Sequence, residues 1–252
     1  MSNVLTMKLE QFTRFTDAER VRLDGLFQLP RKTYAAGEAI FVEGAKVNSV
    51  YLIVEGVAAR RKTLPNGDRQ TMGFLIPGDL CELEVFVLSS MDHDLVAVCE
   101  TTCTVIPKTV ISGLLTESST LTQALWWSTM ADHAMVRSRI IDHGRRGSYE
   151  RLAHLFYEML IRYRLIGLAQ DNSYPFPSTQ LELAEATGMT PVHVNRTLKM
   201  LRSHGLIRFA NKRVNVLDPE RLKQAACFES NYLHLERTER ETDVSHRASD
   251  LV

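Results

Sequence analysis

Val192, His193, Asn195, Arg196 and Lys199 crowd into one short stretch of the chain. Their chemistry is recognition of a nucleic acid. An arginine can fork onto guanine O6 and N7, an asparagine can pair with an adenine edge, and a valine can meet a thymine methyl. A lysine supplies charge to a phosphate, which positions without specifying. Base reading of this kind requires that the side chains stand on one rigid face narrow enough for the major groove.

The surrounding residues supply such a support. Residues 179–207 fit two short helices with a tight turn between them. Thr179-Gln-Leu-Glu182 is a capping box that opens the first helix. Leu183, Ala184 and Ala186 point inward, and the small Ala184 permits a close crossing. Gly188 stands where the first helix ends in a left-handed conformation. Thr190 caps the second helix, and Pro191 at its first position costs no hydrogen bond. Val194, Leu198 and Leu201 form the buried stripe, which leaves Val192, His193, Asn195, Arg196 and Lys199 outside. Residues 207–216 then alternate as two strands joined by a basic turn, Asn211-Lys212-Arg213. The pattern is that of a winged helix-turn-helix. Val192, Asn195 and Arg196 are the expected base contacts. Thr179, Gln180, Thr190, His193, Lys199 and Arg213 are the expected backbone contacts.

Upstream the texture is β-rich. Between Tyr34 and Pro107, short apolar runs alternate with turns such as Asn66-Gly67 and Pro77-Gly78-Asp79, which implies a roll, sandwich or barrel. A capping box at Thr16–Glu19 opens a helix before it. From Glu117 to Asp142 there is neither Gly nor Pro. That stretch predicts a helix of roughly seven turns, about 39 Å long. One seam along it, Ala124, Trp127, Ala131, Ala134, Ser138 and Ile141, repeats every three or four residues and suits packing of two helices along their length. A second stripe, Trp126, Met130, His133, Arg137 and Ile140, competes with it. Gly144–Gly147 reads as a hinge, and Ser148 as the cap of a further amphipathic helix.

The chain has 252 residues, with 30 Lys plus Arg and 30 Asp plus Glu. Its zero net charge excludes a uniformly basic coat. The charge is uneven, however: residues 145–225 hold 13 basic and 7 acidic side chains. Such a block suits an anionic partner or a solvated face. No run approaches the ~20 apolar residues of a membrane span. The first 25 residues are too charged for a signal-peptide core, so the cytosol is the expected compartment. Cys81, Cys99, Cys103 and Cys227 are too few for a disulfide scaffold and are read as reduced, mostly buried thiols, with Cys99 and Cys103 on one strand face. The catalytic motifs Gly-x-Ser-x-Gly, His-Glu-x-x-His and the phosphate-binding loops are absent, so the chain is not read as an enzyme.

In this order of parts the chain resembles the cyclic-AMP receptor protein / fumarate-nitrate-reduction regulator (Crp/Fnr) family of bacterial transcription factors. The resemblance covers about residues 16–225. Gly37-Glu38, the stretch ending in Glu55-Gly56, Pro77-Gly78-Asp79-Leu80 and Thr190–Leu201 are the matching pieces. It implies an α+β architecture: a cyclic-nucleotide-binding-like β-roll (1–115), a dimerisation helix and hinge (116–144), a winged helix-turn-helix (145–225) and a polar extension (226–252). It further implies a homodimer that reads a pseudo-palindromic promoter and contacts RNA polymerase. Arg196 stands where the family's recognition helix carries its base-reading arginine. Val192 replaces an acidic reader common in the family, so a different target sequence is expected.

The resemblance places an effector pocket at Gly78, Glu82, Glu84, His93 and Asp94. His93 and Asp94 stand where cyclic-nucleotide binders carry an arginine and its hydroxyl neighbour. A carboxylate there repels a phosphate, which argues against cyclic AMP. Glu82 is left as either a ligand contact or a solvated loop carboxylate. No cysteine precedes Cys81, so the N-terminal cluster of iron–sulfur members has no counterpart. Asp92-His93-Asp94 is not expected to bind a metal, since three consecutive residues seldom converge on one ion. Haem ligation by His93 or Cys81 stays open as an alternative. So do an unidentified small-molecule effector, a constitutive dimer controlled by abundance, and a sensor module without DNA binding.

Overall fold

The computed structural model describes residues 3–235. Two short helices come first, α1 (Val4–Leu9) and α2 (Asp17–Leu26). Thr16 caps α2 through the expected reciprocal bonds with Glu19. Helix α1, not foreseen from the sequence, is capped by the Asn3 side chain and buries Leu5 and Leu9.

Eight strands follow: β1 (Arg31–Tyr34), β2 (Ala39–Phe41), β3 (Ser49–Glu55), β4 (Ala58–Thr63), β5 (Arg69–Leu75), β6 (Leu80–Cys81), β7 (Asp94–Ala97) and β8 (Thr101–Pro107). They form two antiparallel four-stranded sheets, ordered β1-β8-β3-β6 and β2-β7-β4-β5. Val50, Leu52, Leu75, Leu95 and Cys103 fill the space between them. At Gly56, φ is +87°, and an added Cβ would lie 2.4 Å from the Glu100 carbonyl oxygen. Only glycine fits that turn.

Helix α3 (Lys108–Glu117) leads into α4 (Ser119–Arg145), the long helix. The Ser118 hydroxyl caps it, and it runs through Gly144, so the hinge shrinks to Arg146-Gly147. Helix α5 (Ser148–Leu165) follows. Gly147, not Ser148, occupies its cap position, and no side chain caps it. Then come β9 (Ser173–Pro175), α6 (Gln180–Thr187), α7 (Pro191–Ser203), β10 (Ile207–Ala210), β11 (Arg213–Val216) and α8 (Pro219–Ala225). Strand β9 adds a third member to the wing, in the order β10-β11-β9.

Three expectations are corrected. The seam Ala124, Ala131, Ala134 and Ser138 is buried inside its own subunit. Its small side chains let α4 lie close on its own neighbours, α1, α3, β5 and the turn at Ser230–Leu233. Trp127 is half-buried and stacks on Phe12; of the six seam residues only Ile141 is exposed. The competing stripe faces outward, with Trp126 72% and Ile140 67% exposed. Second, β8 begins at Thr101, so Cys99 lies before the strand that holds Cys103. Third, Cys81 and Cys103 are buried, but Cys227 is exposed. Residues 236–252 of the polar extension lie outside the described residues.

Candidate nucleic-acid interface

Local rules build the two-helix unit residue by residue. The Thr179 hydroxyl accepts the Glu182 amide at 3.2 Å, and the Glu182 carboxylate accepts the Thr179 amide at 2.7 Å. Gly188 closes α6 at φ +63°. A Cβ there would fall 2.8 Å from His143 Nδ1, so the turn sits tight against the end of α4. The Thr190 hydroxyl accepts the His193 amide at 3.2 Å, and Pro191 takes the first helical position. Val194, Leu198 and Leu201 are buried as the stripe predicts.

The opposite face of α7 is open. Val192 is 81% exposed, and Arg196 and Lys199 stand free in solvent. Asn195 is half-buried and donates to Gln180 Oε1 at 3.2 Å, which ties the two helices together. Gln180, Val192, Asn195, Arg196 and Lys199 line one shallow concave patch with Pro191. Thr179, Thr190 and His193 border it at the helix starts.

The wing flanks this patch. Asn211 and Lys212 both take positive φ, 52° and 57°, which forms the tight turn matched to strand twist. Arg213 is exposed but leans back on β9, with Nε 3.3 Å from Ser173 Oγ. Lys212, at the tip, faces a second groove shared with Gln180, Arg202 and Phe209. It is therefore a further contact candidate, and its place in the basic turn Asn211-Lys212-Arg213 is the signal for it in the sequence. Arg202 donates to the Phe209 carbonyl at 3.1 Å and pins α7 to the wing.

Charge is sorted around the patch. Helix α7 carries no carboxylate. The two glutamates of α6 point to the roll instead. Glu185 meets Arg69 at 2.6 Å and Arg61 at 3.4 Å, and Glu182 lies 3.9 Å from Arg61. The outward face of α7 carries basic side chains and no carboxylate, and acidic compensation lies elsewhere.

Of the five residues expected to share an effector pocket, Glu82 and Glu84 line one small recess and His93 pairs with Glu82, while Gly78 and Asp94 are engaged elsewhere. Gly78 lies under α1, where an added Cβ would sit 2.9 Å from the Val4 carbonyl oxygen. Asp94 accepts the Glu43 amide at 2.8 Å. Glu84 meets His133 of α4 at 3.3 Å. Glu82 is buried, not solvated, and pairs with Arg60 at 3.0 Å and His93 at 3.3 Å. Burial alone would raise the Glu82 pKa. The His93 hydrogen bond and the Arg60 charge outweigh it and bring it down to about 2. Burial would lower the His93 pKa, but Glu82 and Asp92 reverse this and hold it above the usual value. The cations of this region are all engaged: Arg60 also reaches Asp132, Lys8 holds Asp79, and Arg162 holds Asp79 at 2.6 Å. The recess beside Arg60 and Glu82 has room for about one water molecule. A small-molecule pocket usually needs about 300 Å³ or more. The residues present do not fit a cyclic nucleotide, because among the described residues of this region no cation is left free for its phosphate.

Comparison with known proteins agrees with this architecture. A model of the cyclic nucleotide-binding domain matches residues 31–118, and a model of the Crp-like helix-turn-helix domain matches residues 150–225. The chain belongs to the Crp/Fnr family. Among this regulator's relatives is the nitrogen fixation regulation protein FixK of Bradyrhizobium diazoefficiens, 27% identical over 78% of this chain and 82% of the relative. The transcriptional activatory protein AadR of Rhodopseudomonas palustris is 28% identical over 77% and 80%. The structure of FixK2 from Bradyrhizobium japonicum superposes with a TM-score of 0.71 at 23% identity, covering 79% of this chain and 98% of that one. The Crp/Fnr chain is thus a DNA-binding transcription regulator and not an enzyme. Its family acts on promoter DNA as dimers. Among the described residues no helix is long and apolar enough to cross a membrane.

Proposed function

We propose that the dimer reads its promoter through α7, with Arg196 on guanine, Asn195 on adenine and Val192 against a thymine methyl. Thr179, Gln180, Thr190, His193, Lys199 and Arg213 hold the phosphates, and Lys212 joins them at the wing tip. The observation that carries this reading is the carboxylate-free, solvent-facing side of α7. The subunits meet along the outward stripe of α4: Trp126, Met130, His133, Arg137 and Ile140. Residues 1–115 serve as the regulatory unit and 145–225 as the DNA-reading unit, joined by 116–144. The protein works in the cytoplasm and contacts RNA polymerase. The self-paired Arg60–Glu82–His93 cluster supports control by an effector other than cyclic AMP, or by abundance alone.

Selection of bound duplexes from a random pool, with and without cell metabolites, tests the reading. The expected product is a pseudo-palindrome with half-sites about 34 Å apart. Recovery of unrelated sequences with no shared motif counts against base reading. A motif that sharpens tenfold with cyclic AMP counts against the pocket assignment.

A further inference from the structure

Residues 226–235 lie beyond the stretch that the Crp-like helix-turn-helix model matches. They turn back onto the protein after α8, and Ala226, Phe228 and Leu233 are buried. Phe228 packs edge-on against Tyr157 of α5 with ring centres 4.8 Å apart. Tyr232 stacks on the fully buried His154 ring at 5.8 Å, and Phe228 lies 5.2 Å from the same ring. The Tyr232 hydroxyl donates to Glu158 Oε2 at 2.7 Å. The other oxygen of Glu158 accepts from Arg139 of α4 at 2.6 Å. Trp127 Nε1, also on α4, donates to the His234 carbonyl at 3.2 Å. The segment therefore bridges α5 to α4 across the Arg146-Gly147 elbow.

The elbow is braced by Arg146, which pairs with Asp142 at 2.6 Å, and by the docking of the winged unit on the roll, where Glu185 meets Arg69 at 2.6 Å. Gly147 is the uncapped start of α5. Arg151 restrains it locally, through the carbonyls of Asp142 and Arg146. The segment adds contacts at Glu158 of α5 and Trp127 of α4, each a turn or more from the bend, and so resists bending with greater leverage. The angle matters for reading. A helix the length of α7 spans about 20 Å, and rotating such a lever by ~10° moves its end by about 3.5 Å, one base-pair step.

We propose that residues 226–235 are a strap that fixes the angle between α4 and the winged unit, with Tyr232 as its positioning residue, and so sets the half-site spacing the dimer accepts. The inference rests on the DNA-reading dimer proposed above. The test uses the full-length chain and the site selected from the random pool, together with versions of it lengthened or shortened by one and two base pairs. The unaltered protein should prefer the selected spacing at least tenfold. The double variant Phe228→Ala/Tyr232→Ala should bind the altered spacings within threefold of the selected one, and stay dimeric by sedimentation. Tyr232→Phe, which loses one hydroxyl and keeps the ring, should fall between the two. Hydrogen exchange of the amides of residues 139–150, which needs no DNA, should quicken tenfold or more in the double variant. Unchanged spacing preference in folded variants, or unchanged elbow exchange, overturns the strap. If the unaltered protein selects no site, DNA reading fails instead, and the exchange measurement still judges the strap.

Discussion

Arg196 and Lys199 stand one helical turn apart on the same open face, and the physics assigns them opposite jobs. Arg196→Ala should remove a bidentate base contact at a cost of ~1–3 kcal/mol on the preferred site and little on random DNA. Equal loss on both would contradict base reading. Lys199→Ala should weaken binding to every duplex alike and reduce the salt slope by about 1, read from affinities across a salt series. These residues were legible in the sequence because caps, turn glycine and apolar stripe leave only one face free. Glu82 was not legible, since nothing near it in sequence announces Arg60, 22 residues upstream, as its partner. Its pairing makes a pH prediction. The Glu82 pKa is depressed from 4.5 to about 2 in the fold, so its contribution is present above about pH 4.5 and is lost as pH falls through about 2. The shift corresponds to on the order of 3 kcal/mol. The His93 pKa is raised from 6.5, so its contribution is full below about pH 6.5 and is lost as pH climbs through the raised value. Arg60, Asp92 and the edge of Phe41 are the other groups facing His93. The urea midpoint should therefore decline as pH rises above about 6.5, and His93→Gln should flatten that decline. An identical alkaline loss in the variant would remove His93 as its source.

Helix α4 shows where periodicity stops informing at the scale of an element. Both stripes repeat every three or four residues, and both contain apolar side chains. A 3.5-residue repeat marks a packing face but not its partner. The small-residue stripe suits a dimer seam, yet small residues suit any close approach. Here the approach is to the subunit's own roll and the turn at Ser230–Leu233. The better signal was size: Trp126 and Met130 are too large for the close packing of the inner seam, and both stand exposed. Two substitutions separate the faces. Trp126→Glu should shift the sedimentation profile to monomer while the thermal midpoint of the subunit barely moves. Ala131→Glu should instead bury a charge in the subunit and lower that midpoint sharply. Reversal of the two outcomes would restore the small-residue seam. The β-roll, by contrast, was legible as a class, because Gly and Asn-Gly turns cut the chain at strand length. Helix α1 and strand β9 were missed, since six and three residues are too few to show a period.

In the whole molecule the winged unit does not hang from the roll by a linker; the two share one core. Val57, Ala59, Phe74 and Ile76 of the roll belong to the same buried cluster as Leu155, Phe156 and Leu183. Phe74 meets Phe176 edge-on with ring centres 5.1 Å apart. Around this contact Glu185 joins Arg69 and the buried Arg61. No local pattern in the sequence reveals this docking, because Arg61 and Glu185 are 124 positions apart. Its consequence is mechanical. A regulator whose reading head shares a core with its roll should unfold in one step, so fluorescence of Trp126 and Trp127 and far-ultraviolet dichroism should report the same midpoint. Phe74→Ala should cost ~3–5 kcal/mol, and the loss should appear in both signals, since the cavity opens where the two units meet. The ion pairs around it answer to a mutant cycle. Glu185→Gln leaves the buried Arg61 with only Glu182, 3.9 Å away, and Arg61→Met leaves Glu185 with only the half-exposed Arg69. Each single change should destabilise, and the pair together should cost less than their sum, because the second removes the charge that the first had stranded. Strict additivity in the thermal midpoints would mean that the two side chains do not sense each other. The roll and the reading head would then be held together by Phe74 with its apolar neighbours and by the Arg162–Asp79 pair.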